Sequence, residues 1–594
     1  MVKAYWDRLR VGPIGGRQSP PDNGAMHAAE TLTEVELQRP QERPSRLLRL
    51  LPSLTDVAFL MPVFFLFLTM GGASRMLEGD TGWHLRAGEW ILAHGRVPEH
   101  DLFSFTRPGE PWFAWEWLWD VLFAWLHARW GMAAVVLASL VVISLTSALL
   151  YRLSLRKTGN PIVAIAVTWA AVAASSIHWW ARPHVFTMLF VVIFYGMLDR
   201  HSEGARARLW LLPLLMVVWT NLHGGFPAGL VLIGAYAAGE LVAAAVEADP
   251  ALRRAALRRS LPYLGTGAAC LLATLVNPYA WRLHLHIAKY LDHDSPMYRW
   301  FSEWMSVSFL PSSSRYFEAL IVLGAAAALW SLLRRRFVYT ILILGWMHQA
   351  LVAARHIPIF AIVAAPVVGE ALVEAARRLA GSDLAGWARR AAGFIEELGA
   401  EARAFERVSR VHLVSLAALV VVGALMFAPA PPKRFLADYD REKYPLEAIE
   451  KLGPEALAGD IFANDEWGDY LIYRLYPTTR VFVDGRIDFY GSKFAEEYVD
   501  AIAVKDKWEQ TLALYGVRTA LLAKDSALAG VMRASANWEK VYEDGVAILF
   551  RAAASPSAGE GETSSNAGDG AGGAGSREGS GPSGERAAQF NPNN

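Results

Sequence analysis

The sequence predicts a polytopic α-helical membrane protein with a small α/β domain at its C-terminal end. Three observations carry that expectation. Of 594 residues, 54% are hydrophobic and only 19% charged, whereas an ordinary soluble domain holds about a quarter charged residues. Apolar runs recur from residue 54 to residue 428, most of them near the ~20 residues that a hydrocarbon core requires. After 428 the composition returns to that of a soluble chain.

The 57 Lys and Arg balance the 57 Asp and Glu, so no overall field draws the chain to nucleic acid. The single cysteine, Cys270, excludes an internal disulfide framework and a cysteine metal site. Residues 1–50 are basic, with Arg8, Arg10, Arg17, Arg39, Arg43, Arg46 and Arg49. They lack an apolar core followed by a cleavage site, and read as a cytoplasmic lead-in.

Candidate spans lie near 54–73, 131–151, 161–177, 184–199, 209–220, 227–246, 261–276, 317–333, 337–353, 357–374 and 411–428, about eleven in all. The tryptophan-rich stretch 112–130, with Glu116, Asp120 and His127, suits a helix lying in the headgroup layer. Placing the N-terminus in the cytoplasm makes Arg152/Arg156/Lys157, Arg200/Arg206/Arg208, Arg253/Arg254/Arg258/Arg259, Arg334/Arg335/Arg336 and the basic 376–410 linker all cytoplasmic, as the positive-inside rule demands. These clusters need no explanation beyond topology. The external connections are then 74–130, the turns near 178–184, 221–226 and 354–357, and a long loop at 277–316.

An odd number of crossings leaves residues 429–552 outside the cell membrane. There, strand-like runs (460–463, 481–483, 520–523, 546–550) alternate with helical stretches (494–502, 507–515), as in a small α/β domain. The Gly/Ser-rich tail 553–594 cannot bury enough apolar surface to fold.

Polar residues gather at the external helix ends rather than at mid-depth. Glu78, Asp80, His84, Arg86 and Glu89 follow the first span; then come Arg182 and His184, Asn221 and His223, Asn277, and Arg355 with His356, with His348 and Gln349 a turn or two inside the ninth span. Such a set can line one cavity. Trp179, Trp180, Trp219 and Trp281 read as interfacial belt anchors. Two carboxylates around one glycine, Glu78-Gly79-Asp80, suit either a hard divalent cation, Mg or Mn, or a general base.

The pattern resembles the GT-C superfamily of polytopic glycosyltransferases, which includes oligosaccharyltransferase catalytic subunits and protein mannosyltransferases. The matching residues are the acidic pair Glu78 and Asp80 at the head of the first external loop, and the run Asp80-Thr81-Gly82-Trp83-His84-Leu85-Arg86. The terminal domain has no WWDYG motif; Glu466-Trp467-Gly468-Asp469-Tyr470 is a loose echo, read here as an exposed helix start. A second D-x-D is also missing, with His293, Asp294 and Glu303 as stand-ins.

The resemblance implies a GT-C-like membrane domain over about residues 51–428 and transfer of a sugar from a polyprenyl-phosphate donor to a glycan, lipid or protein acceptor at the extracytoplasmic face. Physical chemistry supports that surface: each buried CH₂ of the carrier favours the bilayer by about 0.8 kcal/mol, so its headgroup is handled at the interface. Asp80 is the candidate base, with Glu78 as partner or metal ligand. Arg182, Arg355, His184 and His356 are candidates for the donor phosphate, with His84 and Arg86 beside them; Asn221 and His223 are candidates for sugar hydroxyls. The strand-and-turn Val481 to Asp488 reads chiefly as a strand end with a local Asp484/Arg486 pair. Two other functions compete. A transporter or flippase for a lipid-linked glycan needs charge at mid-depth, where the spans hold little. A non-enzymatic scaffold would leave the external cluster tolerant to change.

Overall fold

The computed structural model describes residues 50–289, 302–311, 314–381, 386–406 and 411–553. The lead-in 1–49, the tail from 554, and the stand-ins His293 and Asp294 lie outside the described residues.

The chain enters the bundle through a capped helix. α1 (Leu54–Phe64) starts at Ser53, whose side chain accepts from the Asp56 N–H while Asp56 reaches back to the Ser53 N–H, a reciprocal capping box. It continues to Met70 and ends at Gly71, φ 106°. A short turn leads to α2 (Gly79–His94). α3 (Trp117–Thr158) carries a non-helical residue at Gly131, φ 69°, which turns its first segment away from its long apolar one. Of the tryptophan-rich stretch 112–130, residues 117–130 form that first segment. Trp119, Asp120, Phe123 and Ala124 are buried in it, while Trp125 and Trp130 are exposed.

The bundle continues as α4 (Pro161–Ser175), α5 (His184–Ser202), α6 (Leu211–Leu222), α7 (Pro227–Val246), α8 (Pro250–Ala273), α9 (Trp281–Ala288), α10 (Arg315–Leu333), α11 (Phe337–Val352), α12 (Ile357–Ala380), α13 (Gly386–Glu406) and α14 (Leu413–Met426). Among the described residues six helices are long and apolar enough to cross a membrane, and Leu54–Met70, α6, α11 and α14 are shorter apolar helices. The expected span 261–276 is not separate: it is the second half of α8, whose first half holds Arg253, Arg254, Arg258 and Arg259.

Two expectations about polar and aromatic residues fail for packing reasons. Trp179 and Trp219 are 2% and 0% exposed, core residues rather than belt anchors; Trp219 stacks on Phe190 at 5.3 Å. The basic cluster at the C-terminal end of α3 does more than face water. Lys157 Nζ lies 2.8 Å from Asp199 Oδ1, Tyr339 donates its hydroxyl to the same carboxylate at 2.8 Å, and Arg156 pairs with it too. This network ties α3, α5 and α11 together at one end of the bundle.

At the other end sits an α/β unit: α15 (Leu446–Ala456), β1 (Gly459–Ile461), α16 (Asp465–Leu475), β2 (Thr479–Val481), α17 (Ile487–Tyr490), α18 (Ser492–Ile502), α19 (Trp508–Leu514), β3 (Thr519–Ala523), α20 (Ala527–Ala534), β4 (Trp538–Glu543) and β5 (Ala547–Ala552). β1 pairs with β2 in parallel, and β5 lies antiparallel between β3 and β4. Backbone bridges join the two sheets at Phe462–Ala520 and stitch Ser104, from the loop after α2, onto Val481. The loop and the unit therefore share one β layer.

Candidate active site

The cavity is built where α2 meets both the bundle and the α/β unit, and three glycines allow that meeting. A Cβ on Gly82 would lie 2.7 Å from Tyr473 Cβ and 2.8 Å from the Asp469 carbonyl; one on Gly79 would lie 2.8 Å from Asp469 Oδ2. One on Gly88 would lie 2.0 Å from the Asp120 carbonyl. α2 is thus clamped between α16 and α3 at backbone distance. Glu466-Trp467-Gly468-Asp469-Tyr470, expected to be exposed, faces inward: Trp467, Asp469 and Tyr470 are 3%, 2% and 0% exposed. Trp467 and Tyr470 pack into the core while Asp469 reaches the α2 N-terminus.

The resulting cavity encloses about 570 Å³. Among its carboxylates are Glu78, Asp80, Glu116, Glu303 and Asp469, among its cations Arg182 and Arg355, and Trp83, Trp112, Trp115 and Trp180 furnish aromatic walls. Arg182 holds the acidic pair: Nη1 is 3.1 Å from Glu78 Oε2 and Nη2 contacts Asp80. Glu303 links the two arginines, 3.7 Å from Arg182 and 3.5 Å from Arg355, while Arg355 lies over the Trp304 ring at 4.0 Å. Asp80 hydrogen-bonds the Asp469 carboxyl, which accepts the Gly485 N–H at 2.8 Å. His184 donates Nε2–H to the His178 carbonyl at 2.9 Å.

Burial sets the charge states. It pushes Glu78 up to about 8, with Arg182 pulling it back and Asp80 raising it further. Burial likewise raises Asp80 against the pull of Arg182, and raises Asp469, helped by Asp80 and Asp484. Burial pushes Glu303 up too, but Arg355 and Arg182 outweigh it and hold its carboxyl below the ordinary range. One fixed carboxylate thus anchors two guanidiniums beside carboxyl groups that burial raises above the ordinary range.

The residues do not form a metal centre as they stand. Among the described residues no three His, Cys, Asp or Glu side chains are grouped to hold an ion, and Arg182 occupies the position between Glu78 and Asp80 that a cation would take.

Of the ten candidate catalytic and donor-binding residues, Glu78, Asp80, His84, Arg182, His184, His223 and Arg355 line this cavity, as does the stand-in Glu303. Three do not. Arg86 turns to the Tyr473 carbonyl, 2.8 Å from Nε, and to Glu89. Asn221 accepts Trp117 Nε1–H at 2.8 Å and donates to the Val217 and Val276 carbonyls, so it lines a separate apolar groove. His356 Nδ1 faces the Gln349 carbonyl at 3.3 Å. Trp180, expected in the belt, is a cavity wall. Sequence reading missed Glu116 and His178 as site residues, and it missed Asp469 and Arg486. Arg486 does pair with Asp484, at 2.6 Å, and also with Asp101 at 2.7 Å, which pins the loop after α2 to the unit.

No protein-family model and no curated protein matches the chain. Solved structures do. The archaeal oligosaccharyltransferase AglB from Archaeoglobus fulgidus, in complex with an inhibitory peptide and a dolichol-phosphate, is 11% identical with a TM-score of 0.49, over 84% of this chain and 74% of that one. The Archaeoglobus fulgidus oligosaccharyltransferase complexed with Zn and sulfate is 13% identical with a TM-score of 0.47, over 79% and 68%. ArnT from Cupriavidus metallidurans, bound to undecaprenyl phosphate, is 16% identical with a TM-score of 0.40, over 84% and 97%. With such identities and scores, no ligand, activity or residue role passes from them to this chain.

Proposed function

We propose that the protein is a membrane glycosyltransferase that moves a sugar from a polyprenyl-phosphate donor to an acceptor at the extracytoplasmic face of the membrane. The observation that carries this reading is the single cavity in which carboxyl groups raised by burial and the Arg182 and Arg355 guanidiniums face one another at the ends of apolar helices. Sugar transfer from a phosphate needs a base for the acceptor hydroxyl and positive charge for the departing phosphate. Asp80, tuned upward by burial and steadied by Asp469, is the base. Glu78 shares the Arg182 fork with it. Arg355 and Arg182, braced by Glu303, receive the phosphate. The tryptophan walls offer flat faces to a sugar ring.

At the acidic pair Arg182 supplies positive charge. A donor screen tests the reading. The protein, purified in bilayer discs, is incubated with a panel of radiolabelled polyprenyl-phosphate sugars, and release of free polyprenyl phosphate is followed. Turnover of at least one donor is expected; turnover of none, in protein that is folded and monodisperse, would refute it.

A further inference from the structure

Behind the acidic pair, Glu116 is 7% exposed and stands between two imidazoles. His84 Nε2 is 3.3 Å from its Oε2, and His223 Nε2 is 3.4 Å from its Oε1. Each ring is fixed from the far side. His223 Nδ1 accepts the Gly225 N–H at 3.0 Å and meets the Thr187 hydroxyl at 2.7 Å, while Thr187 accepts Trp219 Nε1–H at 2.9 Å. A ring nitrogen that accepts a backbone N–H carries no proton itself, so neutral His223 bears its proton on Nε2, 3.4 Å from Glu116.

His84 is oriented differently. Its Nδ1 lies 2.7 Å from Oδ1 of the fully buried Asp120, within the range of a charge-assisted bond. A neutral imidazole has one N–H. With that hydrogen directed at Asp120, Nε2 is an acceptor facing Glu116 Oε2, and a protonated carboxyl completes the pair.

We propose that Glu116 is a second acid–base residue of the site, holding a proton on Oε2 that it gives to the departing phosphate, with His84 and Asp120 as the positioning pair that orients it. This rests on the glycosyltransferase reading above. The step balances. The acceptor hydroxyl gives its proton to Asp80 as its oxygen bonds the anomeric carbon. The bond from that carbon to the donor phosphate breaks, its electron pair stays on the phosphate oxygen, and that oxygen takes the Glu116 proton. Water in the open cavity then returns the proton from Asp80 and restores Glu116.

The surroundings suit an acid. Burial pushes Glu116 up to about 8, against the pull of Arg182 and Arg355 and with Asp80 raising it. The groups facing it are His84 from α2, His223 and the Gly224 N–H from the turn after α6, Arg182, Arg355 and Asp80 across the cavity, and Asp120 from α3, whose own carboxyl is raised by burial and then by Glu116.

The test uses the full chain in bilayer discs and has an arm that needs no turnover. In infrared difference spectra, wild type at neutral pH is expected to show a protonated-carboxyl band that Glu116→Gln lacks, and that fades as pH rises through about 8. In the rate arm, Glu116→Gln lowers kcat about 10²–10⁴-fold with KM little changed and removes the alkaline limb of the pH profile. Asp120→Asn moves that limb, which a merely structural role would not. No band in wild type, or an unchanged band in Glu116→Gln, overturns the proposal whatever the donor. The band as described without turnover of any donor overturns the transferase reading instead, and the delivery step falls with it.

Discussion

At the scale of single residues, the cavity is a set of carboxyl groups that burial raises and nearby charges, Arg182 foremost, adjust. Glu116 gives a direct reading of that control. Its carboxyl is raised from 4.5 to about 8 in the folded chain, so the folded state keeps a proton that the unfolded state releases between those values. The contribution of such a group is largest on the acid side and is lost as pH climbs through that window. Glu116→Gln removes the titration. Melting curves should therefore show wild type losing stability relative to the variant from weakly acid to weakly alkaline pH. The loss amounts to a few kcal/mol, since each tenfold change in proton affinity is worth about 1.4 kcal/mol. Parallel curves would contradict the assignment. The acidic pair, Arg182 and Arg355 could be named from sequence because helix ends facing one side of a membrane concentrate function. Arg86, Asn221 and His356 carry the same signal, yet they turn elsewhere: each residue advances a helix by about 100°, and position in the chain does not say which neighbour lies at that angle. Asp469 and Arg486 lie roughly four hundred residues from Asp80, where no local pattern links them.

At the scale of elements, the α2–α16 contact decides where Asp469 sits. Gly82→Ala would place a methyl 2.8 Å from the Asp469 carbonyl, and backbone cannot yield as a flexible side chain does. A loss of about 1–3 kcal/mol is expected, together with weaker protection of 465–475 in amide exchange. Exchange in that helix matching wild type would show that the contact is not tight. The long apolar helices were legible from run length alone. α16 was not, because its first turn is acidic and reads as exposed; only the docking of α2 buries it. β4 also escaped notice, since its residues Trp538–Glu543 are mostly outward-facing and polar.

At the scale of the whole molecule, the account needs the α/β unit and the loop before α10 on one side of the membrane, and α13 on the other. Leu310, Leu514 and Trp387 are 96%, 76% and 71% exposed, so each accepts a cysteine in a Cys270→Ser background. An impermeant reagent applied from outside intact cells should label Leu310→Cys and Leu514→Cys and spare Trp387→Cys; Leu310→Cys and Leu514→Cys reacting from opposite sides would break the shared chamber. Charge patterning in the loops was enough to propose this orientation, whereas the enclosure of the chamber by a distant unit required the folded chain. The decisive assay is single-turnover sugar transfer from a polyprenyl-phosphate donor by wild type and Asp80→Asn in bilayer discs. The account predicts that the variant binds donor, melts near wild type and transfers nothing measurable; transfer at the wild-type rate would contradict it.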